Sequence, residues 1–229
     1  MIICHSRQFV FVHLHKTAGE AITATLRPVL VPGDLEVRGV PGVSVNGAVL
    51  TKHSTALEAR DALGPEVWTR YVTFSFVRHP FDRTLSLYRY IADWADPPKP
   101  SISQRLGLRA VPKRGDRTDW PEVRAFRATR SVSEFIRHPA LEHALSMQPQ
   151  STSLCDADGH LLVDVVGRYE QLASDVGRVQ ETLGLPAAPL RSANVSRRRT
   201  GDGAVLTPDD RAYLTARFAE DFERFDYRP

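Results

Sequence analysis

Two runs of apolar residues interrupt an otherwise mixed chain: Phe9-Val10-Phe11-Val12 and Tyr71-Val72-Thr73-Phe74-Ser75-Phe76-Val77. Aromatic and β-branched residues at this density predict buried strands. Both runs stop in basic turns. The first continues through His13-Leu14-His15-Lys16-Thr17-Ala18-Gly19-Glu20 into a helix. Thr17 and Glu20 have the spacing of a capping box, which would start that helix at Thr17. The second ends at Arg78-His79-Pro80, where Pro80 suits the first helical position, and Phe81, Leu85, Tyr88 and Ile91 then recur at helical spacing.

Further along, Thr55–Leu63 reads as a helix, Ser131-Val132-Ser133-Glu134 as a capping box ahead of Phe135 and Ile136, and Leu161–Val166 as a strand. Gln171–Leu183 places Leu172, Val176, Val179 and Leu183 on one helical face. Thr207-Pro208-Asp209-Asp210 is a helix start, followed by a core stripe of Leu214, Phe218, Phe222 and Phe225. Val31–Val49 is expected to be loops with one short strand. Residues 94–130 carry five prolines and an excess of Lys/Arg over acids. Such a long irregular stretch is either an acceptor-side lid or a disordered surface insertion. Alternating strands and helices predict a three-layer α/β/α fold with a central parallel sheet, similar in architecture to nucleotide kinases. At 229 residues one domain is expected, spanning residues 1–229.

A strand, a tight turn and a helix start together make an anion site, because the first helical turn leaves N–H groups unpaired and adds partial positive charge. Lys16 puts a full charge beside them. The order Lys16 then Gly19 is the reverse of the Gly-Lys-Ser/Thr run of ATP-binding loops. On this segment alone, a phosphate loop and a solvated lysine beside an ordinary N-cap both remain open. Arg78 falls at the carboxyl end of a strand, where open α/β sheets bind ligands. Ser86, eight positions on, can face the same crevice. The competing expectation for Arg78 is a surface ion pair with Asp82.

Lys16-Thr17-Ala18-Gly19, followed by Phe76-Val77-Arg78-His79-Pro80-Phe81-Asp82-Arg83-Thr84-Leu85-Ser86-Leu87-Tyr88, resembles the two signature segments of sulfotransferases that use 3′-phosphoadenosine 5′-phosphosulfate (PAPS). Arg168-Tyr169-Glu170-Gln171-Leu172 is similar to a third family segment, and the closing Asp221-Phe222 and Phe225-Asp226-Tyr227 extend the resemblance over nearly the whole chain. It looks closest to the carbohydrate-type branch (sulfotransferase family 2-like), where a segment like Lys52-His53-Ser54-Thr55 precedes the second strand. The resemblance implies that Lys16, Thr17, Ala18, Gly19, Glu20 and Ala21 form the 5′-phosphosulfate loop, and that Arg78 and Ser86 hold the 3′-phosphate. It further implies that Tyr169 contacts the adenine, and that a late basic loop with Arg197 and Arg199 closes over the 3′-phosphate. A solvated basic run is the alternative for that loop.

The chain departs from the family pattern at Glu20 and Ala21, where hydroxyl residues usually follow the glycine. Glu20 is expected to fold back and cap the Thr17 N–H rather than aim its carboxylate at an anion. Lys16 is the expected donor to the leaving-group oxygen, and His53 the expected base, since an ordinary imidazole titrates near ~6.5. His13 and His15 are rivals, one of them destined for the core, and His79 is expected to be structural.

The net charge of +3 suits an anionic ligand but is too small to indicate nucleic acid. Cys4 and Cys155 have no metal-like spacing, no metal is expected, and no run approaches the ~20 apolar residues of a membrane span. A first strand within ten residues of Met1 leaves no room for a leader, so a cytoplasmic enzyme is expected. The expected reaction moves a sulfuryl group from PAPS to a hydroxyl of a small molecule or glycan. The alternatives are a nucleotide-dependent phosphotransferase and a non-catalytic nucleotide- or polyanion-binding protein.

Overall fold

In a computed structural model, the structure describes residues 1–39, 41–96, 119–191 and 204–229. They form two compact units. The first comprises Met1–Arg83, Pro149–Val195 and Leu214–Pro229. It is built on a sheet of β1 (Ile2–Cys4), β2 (Phe9–Val12), β3 (Leu35–Glu36), β6 (Val72–Val77) and β7 (Val165–Arg168), in the order β3-β1-β2-β6-β7. The strands β2, β6 and β7 run parallel, and β1 pairs antiparallel with both β2 and β3.

The alternation of side chains divides this sheet into two buried faces. Ile3, Val10, Val12 and Val77 meet α2 (Ala56–Leu63), Trp68 of α3 (Pro65–Arg70) and Phe225 on one face. Ile2, Phe9, Phe11, Phe74 and Phe76 meet Ile22 and Leu26 of α1 (Gly19–Leu26) on the other, with Val176 and Val179 of α8 (Leu172–Thr182). Helices therefore cover both faces, the expected α/β/α layering, with the central strands parallel and an antiparallel edge. Phe11 and Phe74 are register partners whose rings stack at 5.3 Å. Their burial, at roughly 1.5–3 kcal/mol per large side chain, ties β2 to β6.

Three local expectations are corrected. Val31–Val49 holds more strand than expected: β3 lies in it, as do β4 (Val43–Val45) and the start of β5 (Ala48–Leu50), a hairpin turning at Asn46-Gly47. Both turn residues have positive φ, as a two-residue hairpin turn demands. The strand expected at Leu161–Val166 begins only at Val165, and Leu161 makes one isolated bridge to Cys155. The Asp164 carboxylate accepts from the Thr73 N–H and hydroxyl, so a side chain docks this segment onto β6 before the backbone ladder starts. The third correction lies in residues 94–130, where regular structure enters from both ends: α4 (Pro80–Ala95) runs to Ala95, and α5 occupies Pro121–Ala128. Residues 97–118, the centre of the lid expectation, lie outside the described residues.

The second unit comprises Thr84–Gln148 and Ser196–Tyr213. Tyr88 packs against Phe126 of α5 and Phe135 of α6 (Val132–Ile136). Ser131 caps α6 by accepting from the Glu134 N–H, while the Glu134 carboxylate reaches past it to the Arg130 N–H. Thr207 and Asp210 cap each other reciprocally at the start of α9 (Pro208–Arg217). Short α7 (Ser151–Leu154) and α10 (Ala219–Arg224), both in the first unit, complete the helices used below. No helix among the described residues is long and apolar enough to cross a membrane.

Gly167 of β7 faces Phe76 of β6 so closely that an added Cβ would lie 2.4 Å from the ring. Gly167→Ala should therefore lower stability by about 1–3 kcal/mol, measured by urea unfolding, and Phe76→Leu in the same chain should recover part of the loss. An unchanged midpoint would refute this account of the β6–β7 contact.

Candidate active site

Adjacent parallel strands β2 and β6 deliver two loops at their carboxyl ends. After β2 the chain reaches Lys16 and Ala18 with positive φ, 66° and 64°. Each non-glycine residue in that region costs on the order of 1 kcal/mol or more, and such strain concentrates where backbone N–H groups are aimed at a ligand. Ala18 is the N-cap of α1 and makes no side-chain cap. The expected start at Thr17 is thus displaced, because the left-handed Ala18 turns the chain one residue later. The buried Thr17 hydroxyl donates to the Leu14 carbonyl instead. The expected Thr17–Glu20 capping box does not form. Glu20 pairs with Lys52 across 32 positions of sequence.

Gly19 is required by a close approach. An added Cβ would lie 2.2 Å from the imidazole of His13, which is buried beneath it. Three imidazoles gather here. His53 stacks on His15 with centroids 3.7 Å apart and meets His13 edge-on at 5.0 Å. His53 Nδ1 lies 2.8 Å from the His13 carbonyl. A carbonyl can only accept, so Nδ1 carries the proton and Nε2 keeps its lone pair. Burial pushes the His53 pKa down to about 4, against the opposing pull of the His13 carbonyl and with Lys52 adding to the depression. Burial also holds His13 and His15 well below the usual imidazole range. All three are neutral at pH 7. His53 is held just ahead of α2 by a complete capping box, Thr55 with Glu58, that the sequence reading did not single out.

Arg78 follows β6, as expected. Its Nη1 donates to the Lys16 carbonyl at 3.4 Å, and its guanidinium lies 3.9 Å from the centre of the Tyr169 ring. The structure thus brings Lys16, Arg78 and Tyr169 together. The face of Tyr169 that carries Arg78 is closed to any other stacking partner. No ion pair joins Arg78 to Asp82 among the described residues. Ser86 lies half-buried on α4, in the second unit. Arg197 and Arg199 lie outside the described residues. His79 is structural: Nε2 meets the Arg228 carbonyl, Nδ1 accepts from the Phe81 N–H, and its N–H donates to Glu170.

Gln150 and Asp221, neither of them a predicted site residue, fix Arg78. The Gln150 side chain accepts from the Arg78 N–H and donates to the Arg78 carbonyl, both at 2.9 Å. Asp221, fully buried in α10, accepts from the N–H groups of Gln150 and Ser151 and from the Gln150 amide. Asp221 closes the resemblance in the sequence, but Gln150 gives no signal, since a glutamine ahead of a four-residue helix has no pattern of its own. The half-buried Asp156 and the exposed Asp158 and His160 come close enough to share an ion, yet the Asp156 carboxylate already accepts two backbone N–H groups, which accounts for the cluster as a turn.

These features define an α/β protein with cationic, donor-rich loops at the ends of parallel strands, beside an uncharged histidine group. The model of the sulfotransferase family matches residues 1–228, and the chain belongs to that family. Family membership makes it a transferase and supports sulfotransferase activity. A crystal structure of a sulfotransferase from Alicyclobacillus acidocaldarius is similar at 14% identity and a TM-score of 0.46, covering 96% of this chain and 94% of the other. No curated protein matches the sequence.

The histidine group makes stability depend on pH. A group with a depressed folded pKa stabilises fully above its unfolded value and loses that contribution as pH falls. Stability should therefore hold above about pH 6.5 and decline towards pH 4, with His53 alone contributing on the order of 3 kcal/mol. Urea unfolding across this range should show the decline, and His53→Asn should flatten it. An equal slope in the variant would place the acid sensitivity elsewhere.

Proposed function

We propose that this chain, with residues 1–229 as one sulfotransferase domain, transfers a sulfuryl group from PAPS to a hydroxyl of a small molecule or glycan. The observation that carries this reading is the meeting of two basic loops at adjacent strand ends, with the Arg78 guanidinium reaching the Lys16 carbonyl. The residues fit a nucleotide bearing phosphates at both ends. Arg78 Nε is buried without a hydrogen-bond partner, leaving a donor to spare, and α1 starts from its N-cap Ala18 with no side-chain cap on its first turn. When bound, PAPS supplies the sulfuryl group and a phosphate leaving group.

The chain's own residues would divide the work as follows. Lys16 and the loop from Thr17 to Ala21, in which the Ala21 N–H is already taken by the Ala18 carbonyl, would hold the 5′ side, and Arg78 with Ser86 the 3′-phosphate. Tyr169 would border the adenine with its edge or its remaining face. Arg197 and Arg199 would close over the 3′-phosphate. Lys16 would counter the negative charge that grows on the leaving oxygen. His53 Nε2 would take the proton of the acceptor hydroxyl, with Nδ1–H anchored to the His13 carbonyl so that the lone pair stays on Nε2. Transfer of this kind needs alignment and charge stabilisation more than covalent work by the protein.

Calorimetric titration with adenosine 3′,5′-bisphosphate, AMP and ATP tests the donor assignment. The wild type should prefer the bisphosphate, and Arg78→Ala should weaken it by tenfold or more, about 1.4 kcal/mol, while changing AMP binding little. Equal losses for both ligands would remove Arg78 from the 3′-phosphate.

Rates separate the two proposed catalytic residues. Lys16→Ala should reduce kcat by about 10²–10³ and also weaken the bisphosphate. His53→Ala should reduce kcat by about 10²–10⁴ with bisphosphate affinity unchanged. With its pKa held near 4, His53 stays neutral through the physiological range, so the wild-type rate should fall only as pH drops towards that value. Full activity of His53→Ala from pH 6 to 8 would show that another group is the base.

A further inference from the structure

Glu20 is the acid in the first turn of α1. An acid there favours the helix dipole, but it also places negative charge where an anionic ligand would settle. The structure shows how the conflict is resolved. The Lys52 ammonium pairs with the Glu20 carboxylate, at side-chain exposures of 24% and 41%. Lys52 comes from the turn ahead of α2, one residue before His53, and that turn is fixed from two sides. Met1 N donates to the Lys52 carbonyl at 3.0 Å, and the Thr51 N–H donates to the Ser54 hydroxyl at 3.0 Å. The lysine is therefore presented to Glu20 by an anchored backbone.

A half-exposed ion pair of this kind adds little to folding stability. Its effect on a bound anion is another matter. An unpaired carboxylate within a few Å of a phosphate repels it through a partly shielded medium, where charges interact more strongly than in bulk water. Paired with Lys52, the same carboxylate presents almost no net charge. Resting on the donor reading above, we propose that Lys52 is a charge-masking positioning residue: it holds Glu20 as a neutral pair and so lets a polyanionic nucleotide sit on the α1 N-terminus. The chain thereby tolerates an acid at a position where the family pattern has a hydroxyl.

The test is a double-mutant cycle on the full chain, with calorimetric titration of adenosine 3′,5′-bisphosphate into wild type, Lys52→Met, Glu20→Gln and the double variant. Melting temperatures run alongside, and Met keeps the apolar stem of the lysine. Lys52→Met should weaken binding by about tenfold where Glu20 is present and by much less in the Glu20→Gln background. The double variant should match Glu20→Gln, and the Lys52→Met defect should shrink in about 0.5 M salt as screening sets in. An equal loss with and without Glu20 would mean that Lys52 contacts the anion itself, and no loss at all would make the pair irrelevant; either overturns the proposal. Binding by Glu20→Gln but not by wild type would show the carboxylate unmasked, which overturns it too. Absence of binding in all four proteins would instead take down the donor assignment, and the masking role with it.

Discussion

The approach of the His13 ring to Gly19 governs the geometry of everything around it. The ring occupies the space a side chain at 19 would need, so α1 can begin where it does only with glycine there. His13 Nδ1 is buried with no hydrogen-bond partner. A polar atom left in that condition costs roughly 1–3 kcal/mol, so the ring is held by its surroundings and not by polar contacts of its own. The same residue offers its carbonyl to His53 and thereby sets which nitrogen of that imidazole is available. One buried side chain thus fixes the start of α1 and, through its backbone, the protonation of the proposed base.

Charge around this site is controlled by burial more than by composition. A net charge of +3 is modest, and the three clustered imidazoles add nothing to it at neutral pH because burial keeps them uncharged. The cations proposed to meet the donor are Lys16 and Arg78, one from each strand end, with Lys52 engaged by Glu20. A linear count of basic residues is therefore a poor guide to the charge such a group of side chains carries.

How much could be read in advance depended on whether a signal was local. The two apolar runs became adjacent parallel strands because nothing competes with burial for such segments, and the stripe from Leu214 to Phe225 went into the core for the same reason. Capping boxes show where local spacing fails. Thr207 with Asp210 forms one, while Thr17 with Glu20 does not, because Ala18 adopts a left-handed conformation and Glu20 finds a partner far along the chain. The Asn46-Gly47 hairpin is legible from its turn pair, although the surrounding Gly, Pro and Val residues read as loop. Gln150 leaves no trace in the sequence, since its role exists only through two hydrogen bonds to the backbone of a residue 72 positions away.

That amide clamp has a consequence for how such a site can change. Gln150 grips the N–H and carbonyl of residue 78, which every amino acid except proline supplies, and Asp221 grips Gln150 in turn. The support is blind to the side chain it positions. The two bonds of Gln150 to residue 78 would survive a change of the side chain there, so the side-chain chemistry at this strand end can drift while the backbone clamp does not. A scaffold that recognises its own backbone separates inheritance of shape from inheritance of specificity.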